Sequence, residues 1–212
     1  MNNGILEFRT NRKIKRHPKR NSKKPFRFIV IGGWAAYLWT KNHKSKDIDI
    51  IIPDFKDLAY LKDNYDLRKN DNLKRYEIKF GEIDLDIYIP YYSKLTLPIE
   101  DIKNETTKIE NIEVVNPEIL LILKQGAEIE REKSAKGLKD RIDIMTLILF
   151  SEVNFEKYLK KLEKYNLIHF VVRLEKIVSN FREIKYLELN AREFKLKKEK
   201  ILENLKKTKR NL

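Results

Sequence analysis

Residues 28–49 read Phe-Ile-Val-Ile-Gly-Gly-Trp-Ala-Ala-Tyr-Leu-Trp-Thr-Lys-Asn-His-Lys-Ser-Lys-Asp-Ile-Asp. The apolar run from Ile29 to Ile31 predicts a buried strand that ends at Gly32-Gly33. Trp34 to Trp39 then predicts a helix opening directly after the turn. A helix start presents unpaired N–H groups, and two glycines let a phosphate come close to them while the helix dipole favours its charge. After a basic loop, Asp47 and Asp49 alternate with Ile48 and Ile50, so a strand here carries both carboxylates on one face. Two hard oxygen ligands on one face suit magnesium. Strand, glycine turn, helix and acidic strand together point to metal-assisted chemistry on a nucleotide.

A second alternating stretch, Glu82-Ile83-Asp84-Leu85-Asp86-Ile87-Tyr88-Ile89, predicts another strand with its acids on one face. Side by side in one sheet, the two strands gather like charges, which a cation or solvent must neutralise. The plainer reading makes both acidic rows the solvent faces of an antiparallel sheet. Aspartate is a poor strand residue, however, and four of them on two short strands favour the functional reading.

These residues resemble the nucleotidyltransferases of the DNA polymerase beta superfamily. That family's pattern is a hydrophobic residue, Gly-Gly or Gly-Ser, a helix, Asp-x-Asp on one strand and a third Asp on a later one. Here the matching residues are Ile31-Gly32-Gly33, Asp47-Ile48-Asp49, and Asp86 or Asp84. Within the superfamily, the AbiEii-type toxins and related minimal nucleotidyltransferases carry a second block. It is matched by Asn116-Pro117-Glu118-Ile119-Leu120-Leu121-Ile122-Leu123-Lys124-Gln125-Gly126-Ala127 and by Lys139-Asp140-Arg141-Ile142-Asp143-Ile144. The resemblance spans roughly residues 28–150.

The resemblance implies that Asp47, Asp49 and Asp86 or Asp84 are catalytic, with two magnesium ions on Asp47, Asp49 and Asp86. Asp86 is the favoured third acid because Asp86-Ile87-Tyr88-Ile89-Pro90 ends its strand in the family's manner. Gly32, Gly33, Ser45, Lys46, Lys124, Asp140 and Asp143 are the implied nucleotide contacts. The family's Arg-x-Ser/Thr-x-Asp is replaced by His43-Lys44-Ser45-Lys46-Asp47, which leaves phosphate neutralisation to Lys44 or Lys46 and makes His43 a phosphate neighbour. The substrate is a nucleoside triphosphate such as ATP, and superfamily acceptors are RNA ends, protein hydroxyls and small antibiotics. A toxin of this kind has an antitoxin protein as partner.

The 212 residues carry a formal net charge of +14, unevenly spread. Residues 1–27 hold +9, residues 28–155 hold −4, and residues 156–212 hold +9. Basic ends track a phosphate backbone, which tilts the acceptor towards RNA, including tRNA. In the C-terminal stretch acids are interleaved with bases, so a merely solvated helix surface is the competing account there. Arg9 to Lys24 has almost no acidic company. With no cysteine there is no disulfide, thiolate ligand or thiol nucleophile. The longest uncharged apolar stretch, Phe28 to Trp39, is too short to span a bilayer, and the basic start lacks a signal-peptide pattern. A cytoplasmic location without membrane partners is expected.

The predicted fold is α+β: a basic segment over 1–27, a nucleotidyltransferase domain with a small mixed β-sheet over 28–115, and a helical domain over 116–212. Asp54 predicts a helix cap, Gly81 a reversal between strands near 73–80 and 82–89, and Lys108 to Val115 a last edge-like strand. Asn116 predicts the cap of a helix with Pro117 and Glu118 in its first turn. Lys124 sits among leucines, where it either snorkels or binds phosphate. Asp140 and Asp143 are expected on an edge of their helix, outside its buried stripe, where each either pairs with Lys124, approaches the nucleotide or forms surface pairs with Lys139 or Arg141. The glycine patterns of P-loop and Rossmann proteins and the Gly-x-Ser-x-Gly elbow are missing after Ile31. The runner-up function is a nucleic-acid-binding protein on this scaffold without transfer activity.

Overall fold

A computed structural model describes residues 26–80 and 83–210. Most of the basic N-terminal segment, and with it Gly81 and Glu82, lies outside the described residues. Strand β1, Ile29–Ile31, is wholly buried and leads straight into helix α1, Gly32–Thr40. The two glycines therefore form the first turn of the helix rather than a turn before it. Gly32 has φ +65°, a conformation that a side chain resists, and Ile31 is an N-cap without a side-chain hydrogen bond. Strand β2, Ile48–Ile51, pairs antiparallel to β1 with Ile31 opposite Asp49. Asp54 caps helix α2, Phe55–Asn64, by accepting from the Lys56 N–H at 2.8 Å.

Strands β3, Arg68–Asn70, and β4, Arg75–Phe80, form a hairpin, and β5, Ile83–Tyr88, runs antiparallel to β4. On its other side β5 lies parallel to β2, with Asp86 opposite Asp49. After the short helix α3, Ile99–Ile102, a second hairpin joins β6, Thr106–Ile109, to β7, Ile112–Val115. The seven strands form one mixed sheet in the order β3-β4-β5-β2-β1-β7-β6. The expected single edge strand over Lys108 to Val115 is thus two strands, turning at Glu110 and Asn111, both with positive φ. Apolar β7 lies inside the sheet, parallel to β1, and the more polar β6 is the edge.

Helices follow from Pro117: α4, Pro117–Glu130; α5, Ala135–Phe150; α6, Phe155–Lys164; α7, His169–Asn180; a 3-10 turn at Ile184–Tyr186; and α8, Ala191–Arg210. Asn116 precedes α4, but its side chain accepts from the Thr107 hydroxyl at 2.7 Å instead of from the helix. Pro117 lessens the need for that cap by removing one N–H. Helix α1 packs against both α4 and α5, and one continuous apolar core runs from Phe28 to Leu205. Within it the Tyr158 hydroxyl donates to Gln125 at 2.7 Å and the Gln125 amide donates to the Phe170 carbonyl at 2.8 Å. This fully buried polar link ties α6 and α7 to α4, which forms one wall of the cleft described below. Among the described residues no helix is long and apolar enough to cross a membrane.

Gly126 on α4 lies against the loop carrying Thr96, where an added Cβ would come within 1.9 Å of the Thr96 hydroxyl oxygen. Gly126→Ala should therefore destabilise by about 1–3 kcal/mol through overpacking, despite alanine's higher helix propensity. Urea unfolding checks this: the midpoint should fall, and adding Thr96→Ala should recover part of the loss. A raised midpoint in the single variant would show that the loop yields freely.

Candidate active site

A cleft of about 410 Å³ opens where the sheet meets α1, α4 and α5. Its floor carries Asp47, Asp49 and Asp86, and its edge carries Gly32, Gly33 and Ser45. Asp47 precedes β2 and is exposed, Asp49 is half-buried and Asp86 is buried, while Ile48 and Ile50 turn into the core on the opposite face. The parallel register places Asp49 and Asp86 on neighbouring strands, about 4.8 Å apart at the backbone. Asp84 is exposed, faces Lys79 in the β4–β5 register and is not part of the cleft lining. The geometry thus selects Asp86 over Asp84 as the neighbour of Asp49.

Close packing fixes the glycine turn against these acids. A Cβ on Gly32 would lie 2.1 Å from Asp49 Oδ2, and one on Gly33 would lie 2.8 Å from the Ser45 Cβ. The start of α1 has no acidic side chain in its first turn, so its positive end faces the cleft unopposed by its own helix. Lys139 reaches the same edge and donates to the Ser45 hydroxyl at 3.0 Å. Lys94, Arg131 and Lys136 add further positive charge to the lining.

The acidic row is longer than two residues, because Glu77 on β4 is the register partner of Asp86. Arg75, two positions before Glu77, bridges the row: its Nε donates to Glu77 at 2.9 Å and its Nη1 meets Asp86 Oδ2 at 2.6 Å. Burial pushes the Asp86 carboxyl up to about 7, with Arg75 pulling down and Asp49 pushing further up. Burial also raises Asp49, against the pull of Lys124 and a hydrogen bond from the Tyr88 hydroxyl at 3.3 Å.

Lys124, Asp140 and Asp143 form the helical wall. The Lys124 ammonium lies 2.5 Å from Asp143 Oδ2 and 3.4 Å from Asp140 Oδ1, and Arg131 takes both oxygens of Asp140. Burial opposes the charge of Lys124, but the two aspartates outweigh it and hold its pKa above the ordinary lysine value. The expectation of Asp140 and Asp143 on an exposed helix edge is corrected: both are buried, because α5 turns that edge towards Lys124 on α4. Lys124 and Asp140 line the cleft; Asp143 does not.

Of the basic loop, Ser45 lines the cleft. Exposed Lys46 lies outside the lining, His43 hydrogen-bonds the Tyr186 carbonyl at 2.8 Å, and the Lys44 ammonium sits over the Tyr37 and Trp34 rings. Sequence reasoning passed over Arg75, gave Arg131 little weight and assigned Lys139 no contact in the cleft. For Arg75 the signal was there in the alternation Arg75-Tyr76-Glu77, a charged face continuing the acidic row. Nothing local in the sequence marks Lys139, whose role depends on α5 packing beside α1.

The donors Asp47, Asp49 and Asp86 are all carboxylate oxygens, the chemistry that a hard divalent cation takes. Repulsion between Asp49 and Asp86 is the strain that such a cation would relieve. As the side chains stand, no group of three or more acidic or imidazole residues is gathered at metal-binding range among the described residues. The guanidinium of Arg75 holds Asp86 instead.

No family model matches the sequence, and no curated protein does. Solved structures that overlap it include an antigenic nucleotidyltransferase-like protein from Paracoccidioides brasiliensis, at 18% identity over 71% of this chain and 83% of that one, TM-score 0.40. The protein JHP933 from Helicobacter pylori overlaps at 19% identity over 88% of each chain, TM-score 0.44. The Megavirus polyadenylate synthase overlaps at 16% identity over 71% of this chain and 35% of that one, TM-score 0.43. The overlaps are partial, and the functional reading rests on the cleft itself.

Proposed function

We propose that the protein is a magnesium-dependent nucleotidyltransferase that moves a nucleoside monophosphate from a triphosphate such as ATP to an acceptor hydroxyl, with RNA, including tRNA, as the acceptor. The observation that carries the reading is the register pairing of Asp49 with Asp86 on the floor of a cleft edged by the Gly32-Gly33 helix start. An antitoxin-like protein partner belongs to this proposal only through the resemblance to AbiEii-type toxins.

Asp47, Asp49 and Asp86 would hold two magnesium ions, which supply positive charge to the triphosphate and acidify the acceptor hydroxyl. The N–H groups at the start of α1, with Lys139 beside Ser45, receive phosphate oxygens. Lys94, Lys136 and Arg131 neutralise the remaining charge at the rim. The acceptor oxygen forms a bond to the α-phosphorus, the bond to the β-phosphate oxygen breaks, and pyrophosphate leaves. The hydroxyl proton passes to a carboxylate oxygen of Asp86. Lys124 stays with its two aspartates and keeps the α4–α5 wall in place. An RNA backbone suits the net charge of +14.

The test is incubation with each labelled nucleoside triphosphate, magnesium and total RNA, followed by separation of labelled RNA from labelled protein. Label on RNA is expected, and Asp47→Asn or Asp49→Asn should reduce it by about a hundredfold or more with little change in melting temperature. Undiminished transfer in both variants would remove these carboxylates from the reaction. Binding of RNA with no transfer in the intact protein would instead favour a non-catalytic binding module.

Lys139→Ala removes an exposed cation from the glycine edge, so nucleotide affinity should fall by about tenfold while urea unfolding stays unchanged. Equilibrium dialysis with labelled triphosphate reads the difference. Unchanged affinity would place the triphosphate elsewhere.

The folded-state pKa of Asp86, about 7, lies above an unfolded aspartate's, about 3.9. The stability from its bound proton is therefore complete below about pH 4 and is lost as pH rises through 7. In chelator, the wild-type urea midpoint should fall between pH 5 and pH 8 by more than that of Asp86→Asn. Equal falls would place the titration on another group.

A further inference from the structure

Arg75 is the part of the cleft that the nucleotidyltransferase reading leaves without a role. Its strand, β4, supplies Glu77 to the acidic row, and the register runs Glu77, Asp86, Asp49 across β4, β5 and β2. Its guanidinium is partly buried, with Glu77, Asp86 and the Tyr88 hydroxyl as partners. Nε is fixed by Glu77, which the Asn70 amide steadies at 2.9 Å, and Nη1 meets Asp86 Oδ2 at 2.6 Å. The planar fork thus spans two acids of the row from one side.

We propose that Arg75 is a built-in counterion that a divalent cation must displace from Asp86. This rests on the carboxylate metal site of the proposed function. The Arg75 guanidinium on Asp86 Oδ2 places a fixed positive charge where a cation would approach that carboxylate, so the contact opposes metal binding there. Losing the Arg75 contact costs a charge-assisted hydrogen bond, and gaining the cation relieves the repulsion between Asp49 and Asp86. The displaced guanidinium stays in the cleft, because Glu77 still holds Nε, and its released Nη1 then faces the space where an anionic substrate lies. Arg75 thereby links the arrival of the cation to a new donor for substrate phosphate.

The experiment is Mn2+ binding to the full chain, read from water-proton relaxation, in wild type, Arg75→Met, Arg75→Lys and Asp86→Asn. Methionine keeps the apolar stem without the charge; lysine keeps the charge without the fork. Arg75→Met should bind Mn2+ about tenfold more tightly than wild type, Arg75→Lys should fall between them, and Asp86→Asn should bind poorly. In chelator Arg75→Met should melt below wild type, and added Mn2+ should raise its melting temperature more than it raises that of wild type. If Arg75→Met does not fold, the lysine variant carries the comparison alone. Equal or weaker Mn2+ binding by the Arg75 variants, with Asp86→Asn still impaired, overturns the exchange and leaves the metal site standing. Mn2+ binding by Asp86→Asn equal to wild type, or by none of the four proteins, overturns the metal site and the exchange together.

Discussion

The parallel pairing of β2 with β5 forces Asp49 and Asp86 side by side, and the surroundings of the cleft are arranged to tolerate that confrontation. Two unit charges about 5 Å apart repel by about 3 kcal/mol at an effective dielectric constant of about 20. Compensation arrives from two directions. Arg75 reaches Asp86 from β4, and Lys124 pulls on Asp49 from α4. Lys124 is balanced in turn by Asp143 and Asp140, and Asp140 by Arg131. Alternating charge therefore runs from one sheet edge of the cleft to its helical wall, and each member is held by the next.

Such a chain is a weak source of net stability, since taking charges out of water costs about what their attraction returns. Breaking it at one point is another matter, because a buried charge is then left alone, at about 3–5 kcal/mol. Its structural effect is positional. Lys124 can sit beside Asp49 only if α5 presents Asp140 and Asp143 to it, so the α4–α5 contact is adjusted to the electrostatics of the sheet. The Gln125–Tyr158 link one position further along α4 holds the same helix from its other side.

The sequence was most legible where local period and chemistry coincide. The run from Ile29 to Asp49 announced β1, α1 and β2 and the shared face of Asp47 and Asp49, because each follows from alternation within a few residues. Asp54 as a cap was readable for the same reason. What stayed hidden depends on partners distant in the chain. The pairing of Asp140 and Asp143 with Lys124, 16 and 19 positions away, was one of several open readings, and their burial follows only once α5 is packed on α4. The interior position of β7 follows from its pairing with β1, which no property of residues 112–115 announces. Asp84 and Asp86 were equivalent by alternation; only the strand register and the lining of the cleft separate them.

That pairing of β1 with β7 also bears on how the chain is made. Among the described strands β1 is the first to leave the ribosome, and its neighbour on one side is β7, fed by a hairpin more than eighty residues later. Contacts so distant in sequence form late, after long loop closures, while the emerging apolar strands wait for their partners. The cleft waits longer still, since Lys139 and Asp140 arrive on α5. A nascent chain stopped before Ala135 carries Asp47, Asp49 and Asp86 but lacks the wall that encloses them, so the cleft is assembled only when synthesis of the helical half is well advanced.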